Sequence, residues 1–279
     1  RNLRRQYSVE SVTEGIIMIP LVISSAYQSV DATLDRVGEG TSYVRLEFRT
    51  GNLGQRLIRD NLFYSDSDIA VWSLTDLLDG LELLVSNNLQ KVDLQQVEIR
   101  LEITGERKTA TIEKASPNVF TAAAGDSVDV EVLIRPYRAH TETRILRIDI
   151  PDNISPGPMT VTLRGGGEGY YLTKPPVHTT ILSELEEEEE PSRALISGAE
   201  SLDALIEDFM NREKNNEIVA EFYPFIENYS AEENDEDPDP DNYLGYGWSE
   251  GVGEPKKVRL STQFVIDGTA SFDINVVQR

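Results

Sequence analysis

The stretch AGDSVDVEVLIRPY, residues 124–137, decides the fold class of the middle of this chain. Val128, Val130 and Val132 alternate with acidic residues, and an apolar pattern of period two is typical of a β-strand with one buried face. Similar runs follow at residues 143–151 (TRILRIDIP) and 157–166 (GPMTVTLRGG), separated by turns that contain Pro and Gly. These runs predict an immunoglobulin-like β-sandwich over residues 117–170, although without the cysteine pair of true immunoglobulin domains.

Residues 1–116, upstream of the sandwich, mix helix and strand patterns and predict an α+β unit. GIIMIPLVI at residues 15–23 is typical of a buried strand or of the entry to a helix. A helical stripe follows it, with apolar residues three to four positions apart: Val22, Ala26, Val30, Leu34 and Val37. SYVRLEFRT at residues 42–50 alternates and predicts a strand.

A second helix is predicted from residue 65 onward. Ser65 and Asp68 resemble a capping box, and an apolar stripe with Trp72 as a core residue continues to Leu84. VEIRLEITG and KTATIEKA, at residues 97–105 and 108–115, then alternate around Gly105 and Glu106. They predict an antiparallel hairpin.

The rest of the chain is predicted to be an acidic linker, residues 171–200, and a region of helix, acidic loop and β-hairpin, residues 201–279. Ser201 is the expected N-cap of the helix, and Asp267 and Gly268 are typical of a hairpin turn. Because an isolated hairpin is barely stable in water, we expect it to pack back on the body. The predicted fold class is therefore α+β together with all-β.

Composition excludes several classes of function. The net charge of −23 argues against nucleic-acid binding, and two acidic blocks, Glu184–Glu190 and Glu232–Asp241, are expected to be solvated. The absence of Cys excludes disulfide frameworks and thiol nucleophiles. The most apolar run, residues 15–27, is broken by Pro20, so no membrane span is predicted. The sequence opens on Arg1 without an initiator Met or a signal peptide, and we expect that a leader or an upstream domain belongs before it.

Two glycine-rich motifs are candidate sites. Residues 247–251, GWSEG, match the G-x-S-x-G nucleophile elbow, but an acidic, proline-containing segment precedes them where a buried strand is required. Ser249 is therefore expected to be a loop serine, and the two histidines, His140 and His178, lie in no triad motif. Gly165–Gly167 can form an anion-binding nest, although a domain exit is the simpler interpretation.

Four alternating aspartates form a candidate metal site: Asp235, Asp237, Asp239 and Asp241. Carboxylate oxygens are the ligands that calcium prefers. An EF-hand is excluded, because neither Asp235 nor Asp237 is followed by Gly at the sixth position and Glu at the twelfth. Weak calcium binding and a solvated loop stay open as alternatives, and no other cofactor is expected.

The order of several segments resembles the long C-terminal region of exported bacterial proteins of the SpoIVB-type serine peptidase family. The segments cover most of the chain: DNLFYSDSDIAVWSLTDLLDGLELLVSNN, VDLQQVEIRLEITGERKTATIEKA, GDSVDVEVLIRPYR, IPDNISPGPMTVTLRGG, SLDALIEDFMNREKNNEIVAEFY and FVIDGTASFDINV. In that family the catalytic His and Ser lie in an N-terminal peptidase domain, which would precede Arg1. The resemblance therefore implies an accessory part of an extracellular or cell-envelope protein, and no catalytic residue is carried over to this chain.

Three functions follow as hypotheses. The first is a non-catalytic binding or assembly module, with a protein partner or self-assembly expected through the edge strands of the sandwich. The second is an acidic, calcium-stabilised surface or structural protein. The third is a hydrolase with a carboxylate-based site, because glycosidases need two acids at a defined separation and the chain has 49 acidic residues.

The calcium hypothesis predicts that millimolar calcium raises the melting temperature of the chain, because a ligand that binds only the native state stabilises it. A variant with Asn at all four aspartate positions is the control and should show no rise. An unchanged melting temperature of the native sequence would remove this hypothesis.

Overall fold

The computed structural model describes residues 3–12, 15–34, 38–167, 201–224 and 255–278. They form mostly β-strands in several sheets, with few helices, an architecture of the α+β and β-sandwich type. The chain divides into two compact units, and each unit is built from separate stretches of sequence. The first comprises Arg1–Thr109, Gly166–Asn216 and Gln263–Val265, and the second comprises Ala110–Gly165, Glu217–Thr262 and Ile266–Arg279.

The first unit contains helices and one antiparallel sheet. Its elements are α1 (Gly15–Leu34), β1 (Gly40–Thr50), β2 (Leu57–Ser65), α2 (Ile69–Trp72), α3 (Thr75–Val85), β3 (Leu94–Thr104) and α4 (Leu202–Asn211). The strand order is β2-β1-β3. β1 is therefore the central strand, and β2 and β3 form the two edges.

One face of this sheet carries the core of the first unit. The inward residues of β1, Val44, Leu46 and Phe48, are fully buried. Apolar residues of α2, α3 and α4 join them in one cluster: Ile69, Leu74, Leu77, Leu81, Leu84, Leu202, Ile206 and Phe209. Residues that lie after position 200 in the sequence thus complete a core that begins at position 44.

The second unit contains two sheets. Its strands are β4 (Thr109–Pro117), β5 (Thr121–Ala123), β6 (Ser127–Pro136), β7 (Glu142–Asp149), β8 (Gly157–Gly165), β9 (Glu217–Phe222), β10 (Lys256–Ser261), β11 (Val265–Asp267) and β12 (Ala270–Val277). One sheet has the order β10-β9-β8-β12-β5 and the other β11-β4-β6-β7. Val128, Val130 and Val132 of β6 are fully buried, as their alternation predicts.

Several predicted elements are confirmed. The runs at residues 42–50, 124–137, 143–151 and 157–166 contain β1, β6, β7 and β8. Ser201 caps α4 by accepting a hydrogen bond from the Ala204 amide at 3.2 Å. The predicted capping box is confirmed only in part: the Ser65 hydroxyl accepts from the Asp68 amide at 3.0 Å, but α2 begins at Ile69 with Asp68 as its N-cap, which accepts from the Ala70 amide at 2.9 Å.

Three local predictions need correction. GIIMIPLVI belongs to helix α1, so the strand alternative is wrong. The single predicted helix after residue 65 is two helices, α2 and α3, and Trp72 is half-buried, outside the main cluster. β2 was missed, because its inward positions include Arg59 and Asn61, so it lacks the apolar alternation of a strand.

Both predicted hairpins are wrong. β3 pairs with β1, while β4 pairs with β6 in another sheet, and the connection between them is fixed by Thr41, whose hydroxyl donates to the Glu106 carbonyl at 2.7 Å. At the C-terminus Gly268 has the positive φ of 81° that the turn requires, but β11 joins the sheet of β4 and β12 pairs with β8. In both cases the turn lies between strands of different sheets.

The predicted acidic linker and acidic loop lie outside the described residues.

Candidate functional site

The inward face of edge strand β2 is polar where a core strand is usually apolar. Arg59 and Asn61 are 2% and 3% exposed, between the buried residues Leu57 and Phe63. A buried guanidinium is strongly destabilising unless it is paired and hydrogen-bonded. The partners of Arg59 and Asn61 therefore determine what this face of the sheet does.

Arg59 is bound by a carboxylate and by three backbone carbonyls. Its Nε donates to Asp76 Oδ2 at 2.7 Å. Its Nη1 donates to the carbonyls of Phe209 and Arg212, both at 3.1 Å, and its Nη2 donates to the carbonyl of Glu213 at 3.3 Å. The carbonyls belong to the end of α4 and the residues after it, about 150 positions along the sequence, so one side chain joins two distant parts of the chain.

Asn61 extends this arrangement through both ends of its amide. Its Nδ2 donates to the same Asp76 Oδ2 at 3.0 Å, and its Oδ1 accepts from the Asn215 amide at 2.9 Å. Asp76 lies on α3 and is 4% exposed. Its carboxylate thus has two donors from β2, which compensate for the water that it loses on burial.

A second ion pair and an aromatic contact complete the assembly. Arg212 Nη1 donates to Asp79 Oδ2 at 2.6 Å, and the guanidinium groups of Arg59 and Arg212 lie 5.4 and 5.5 Å from the centroid of the Phe209 ring. Phe209 meets Phe48 edge-on, with centroids 6.3 Å apart. Gly80 makes room for both rings, because a Cβ there would lie 2.5 Å from the Phe48 ring.

We call Arg59, Asn61, Asp76 and Asp79, with residues 209–215, the polar clamp. Its charged groups bind one another and backbone atoms, an arrangement that holds structure together. The polar clamp is not among the sites predicted from the sequence, although the sequence carries two signals of it: polar residues at the inward positions of β2, and aspartates three apart on α3. Those signals show that a partner is needed, but they do not say which segment supplies it.

The sequence-predicted site residues are not brought together by the described part of the chain. Asp235, Asp237, Asp239, Asp241, His178 and Ser249 lie outside it. His140 is exposed in the turn between β6 and β7. Across the described ranges, no group of three or more His, Cys, Asp or Glu is arranged to hold a metal ion.

Gly165 and Gly166 are places of close backbone approach. A Cβ on Gly165 would collide with the carbonyl oxygen of Ile266, and one on Gly166 would collide with that of Lys214. The described geometry thus gives these glycines a packing role without an anion. Gly166 therefore packs against Lys214, which belongs to the clamp segment, residues 209–215.

A cavity of about 160 Å³ lies beside the C-terminal end of α1, lined in part by Leu34, Ile69 and Ile103. Pockets for small-molecule ligands usually enclose about 300–1,000 Å³. This cavity is smaller and does not suit a ligand of that size.

Edge strand β3 is an open feature of the first unit. Among the described strands it pairs with β1 alone, along its whole length. Its inward residues Val97, Ile99, Leu101 and Ile103 are only half-buried, whereas their neighbours on β1 are fully buried. We call this strand, with its unpaired edge and half-exposed apolar strip, the β3 edge surface.

Helix α1 presents a second apolar surface. Its segment Ile17–Leu34 is long and apolar enough to cross a membrane by length and composition. Core helices and signal sequences share these properties, and Val22, Ile23 and Ala26 pack against the core. Ile17 and Leu21 are exposed. The absence of a membrane span stays a prediction.

Comparison with known proteins gave no match among protein-family models, curated proteins or solved structures.

Replacement of Arg59 by Ala is expected to destabilise the first unit by about 3–5 kcal/mol, because Asp76 and three carbonyls lose their buried donor. Lys108→Ala is the control in the same unit, since Lys108 and Glu106 form an exposed pair at 3.9 Å and exposed pairs contribute little. Urea unfolding can be followed by Trp72 fluorescence in a Trp248→Phe background, which leaves one tryptophan. Equal stability of the two variants would contradict a structural role for the clamp.

Proposed function

We propose that this chain is a non-catalytic binding or assembly module that accepts a β-strand at the β3 edge surface. One observation carries the proposal: β3, eleven residues long, pairs with β1 alone among the described strands and carries a half-exposed apolar strip. An unpaired edge offers a row of N–H and C=O groups to an added strand, which gives affinity, while side chains at alternate positions give specificity.

The composition of β3 supports recruitment of a specific partner. Natural edges are often shortened, bulged or protected by Lys and Pro. β3 is long and contains neither Lys nor Pro, its register shift is confined to the end at Leu94 and Gln96, and it carries four apolar residues on one side. Adding a strand there would cover Val97, Ile99, Leu101 and Ile103 and would pair the free backbone groups.

We further propose an exported bacterial protein related to the SpoIVB-type peptidases, placed outside the cell or in the cell envelope. The support is the order of segments given above, together with the absence of Cys. In this proposal a serine peptidase domain belongs to the same parent protein, and the present chain scaffolds it or its assembly. We also propose an immunoglobulin-like sandwich for the second unit, supported by its two sheets and its buried alternating valines.

A photo-crosslinking amino acid at position 102 of the parent protein is expected to form a covalent protein adduct in the native cells, because Glu102 lies exposed on β3. The matched control is position 207, an exposed glutamate on α4. Mass spectrometry of the adducts identifies the partner.

The absence of an adduct at position 102, or equal adducts at both positions, would contradict strand addition at β3. The non-catalytic part of the proposal would be contradicted if the isolated chain hydrolysed ester or peptide substrates and Ser249→Ala abolished that hydrolysis.

A further inference from the structure

The solvent-facing side of β3 has an unusual charge arrangement. In the register with β1, Arg100 lies opposite Arg45, and Glu98 lies opposite Glu47. Like charges directly opposite each other on neighbouring strands are destabilising. Hydrogen bonding by Arg49 lowers the pKa of Glu47, which keeps its carboxylate ionised near neutral pH. We call these two pairs of like charge, Arg45–Arg100 and Glu47–Glu98, the charge rows: each spans β1 and β3 and ends at the open edge, while β2 carries Asp60 and Ile58 at the matching positions.

The charges at the end of these rows are accessible. The side chains of Arg100 and Glu98 are 62% and 47% exposed, and they lie 3.7 Å apart along the same strand. A strand added beside β3 could neutralise both rows if it placed a carboxylate opposite Arg100 and a cation opposite Glu98. The sequence of β3 itself, LQQVEIRLEIT, supplies that pattern.

Antiparallel pairing of two β3 strands gives this match in one register. Ile99 is the midpoint of Leu94–Thr104, and the register of β3 shifts between Leu94 and Gln96, so a two-fold axis at Ile99 gives regular pairing over residues 96–102. Glu98 of each copy then faces Arg100 of the other. On the apolar side, Val97 faces Leu101, and the two Ile99 residues face each other.

Other registers fit less well. An axis at Arg100 sets the two Arg100 residues opposite each other and Glu98 opposite Glu102. An axis at Leu101 pairs Arg100 with Glu102, but it leaves Glu98 opposite the uncharged Thr104. An axis between two residues places apolar positions opposite charged ones, because directly opposed residues point to the same face of a sheet.

We propose that the partner strand at the β3 edge surface is the β3 of a second copy of this chain, paired antiparallel about Ile99. This inference rests on the proposed function and names its partner. The two three-stranded sheets become one six-stranded sheet, and the interface is isologous, as a two-fold dimer requires. Pairing covers the β3 edges of both copies, so no third copy can add a strand there.

Charge reversal tests the proposal with the whole chain. Glu98→Arg places like charges opposite each other across the axis, and so does Arg100→Glu. Each is expected to raise the dimer dissociation constant about 10- to 30-fold, measured by analytical ultracentrifugation in roughly 0.15 M salt. The double variant E98R/R100E restores the opposite pairs and should dimerise like the native sequence.

A mixture of the two single variants gives the most specific test of the register. Each variant alone is repulsive, but in a mixed dimer the two arginines of the Glu98→Arg copy face the two glutamates of the Arg100→Glu copy, so the mixture should dimerise. Glu102→Lys is the control, because Glu102 faces Gln96 in the proposed register and dimerisation should persist. We expect the single variants to fold, since each reversal puts an opposite charge beside Glu47 or Arg45 and removes only the exposed Glu98–Arg100 pair, and exposed pairs contribute little.

The proposal is overturned if the native chain stays monomeric up to its solubility limit, if the single variants dimerise as well as the native sequence, or if their mixture does not associate. Loss of the dimer by Glu102→Lys, with Glu98→Arg unaffected, would overturn the register in favour of an axis at Leu101. A monomeric chain whose position 102 still crosslinks to another protein would overturn the second copy but leave the binding module intact. A monomeric chain without any such adduct would overturn both.

Discussion

The ion pair between Arg59 and Asp76 is the interaction on which the first unit depends. Both groups are almost wholly removed from water, and transferring them costs several kcal/mol each unless partners replace the lost hydration. The partners come from α3 and from the segment after α4. Arg59 is therefore satisfied only when residues 209–213 lie against β2, and the same contact places Phe209 beside Phe48 and Gly80. A buried charge thereby fixes where a distant helix docks.

This requirement gives the two edges of the sheet different properties. Side chains from both faces of β2 bind the clamp segment, with Arg59 and Asn61 on one face and Asp60, which pairs with Lys214 at 3.0 Å, on the other. Among the described residues β3 has no equivalent. Residues 209–215 thus stabilise one edge, whereas the described residues leave the opposite edge uncovered. The proposed assembly function follows from that asymmetry.

The sequence predicted most individual elements, because their signals are local. Alternating valines identified β6, and a capping serine identified the start of α4. The failures share one cause, which is that strand pairing is decided by distant residues. β2 was missed because Arg59 and Asn61 are inward-facing residues whose partners lie about 150 positions away. The turns at Gly105 and Gly268 were recognised, but a turn signal does not reveal that the strands on either side enter different sheets.

The interaction surface was even less accessible to sequence reasoning. The alternation of β3 is visible in the letters VEIRLEI, yet its position at an edge depends on the pairing order β2-β1-β3. The charge rows become visible only when Arg45 and Glu47 are known to lie opposite Arg100 and Glu98. The binding edges predicted from the sequence belong to the sandwich, whereas β3 belongs to the first unit.

The contact between Phe48 and Phe209 tests the central claim most directly, because it exists only if residues after position 200 complete the N-terminal core. Nuclear Overhauser measurements on the chain with labelled phenylalanine would detect it. We predict cross-peaks between the two rings, whose centroids lie 6.3 Å apart. A Phe209 ring with the chemical shifts of an unstructured peptide, and cross-peaks to its sequence neighbours alone, would contradict the docking of α4 on this core.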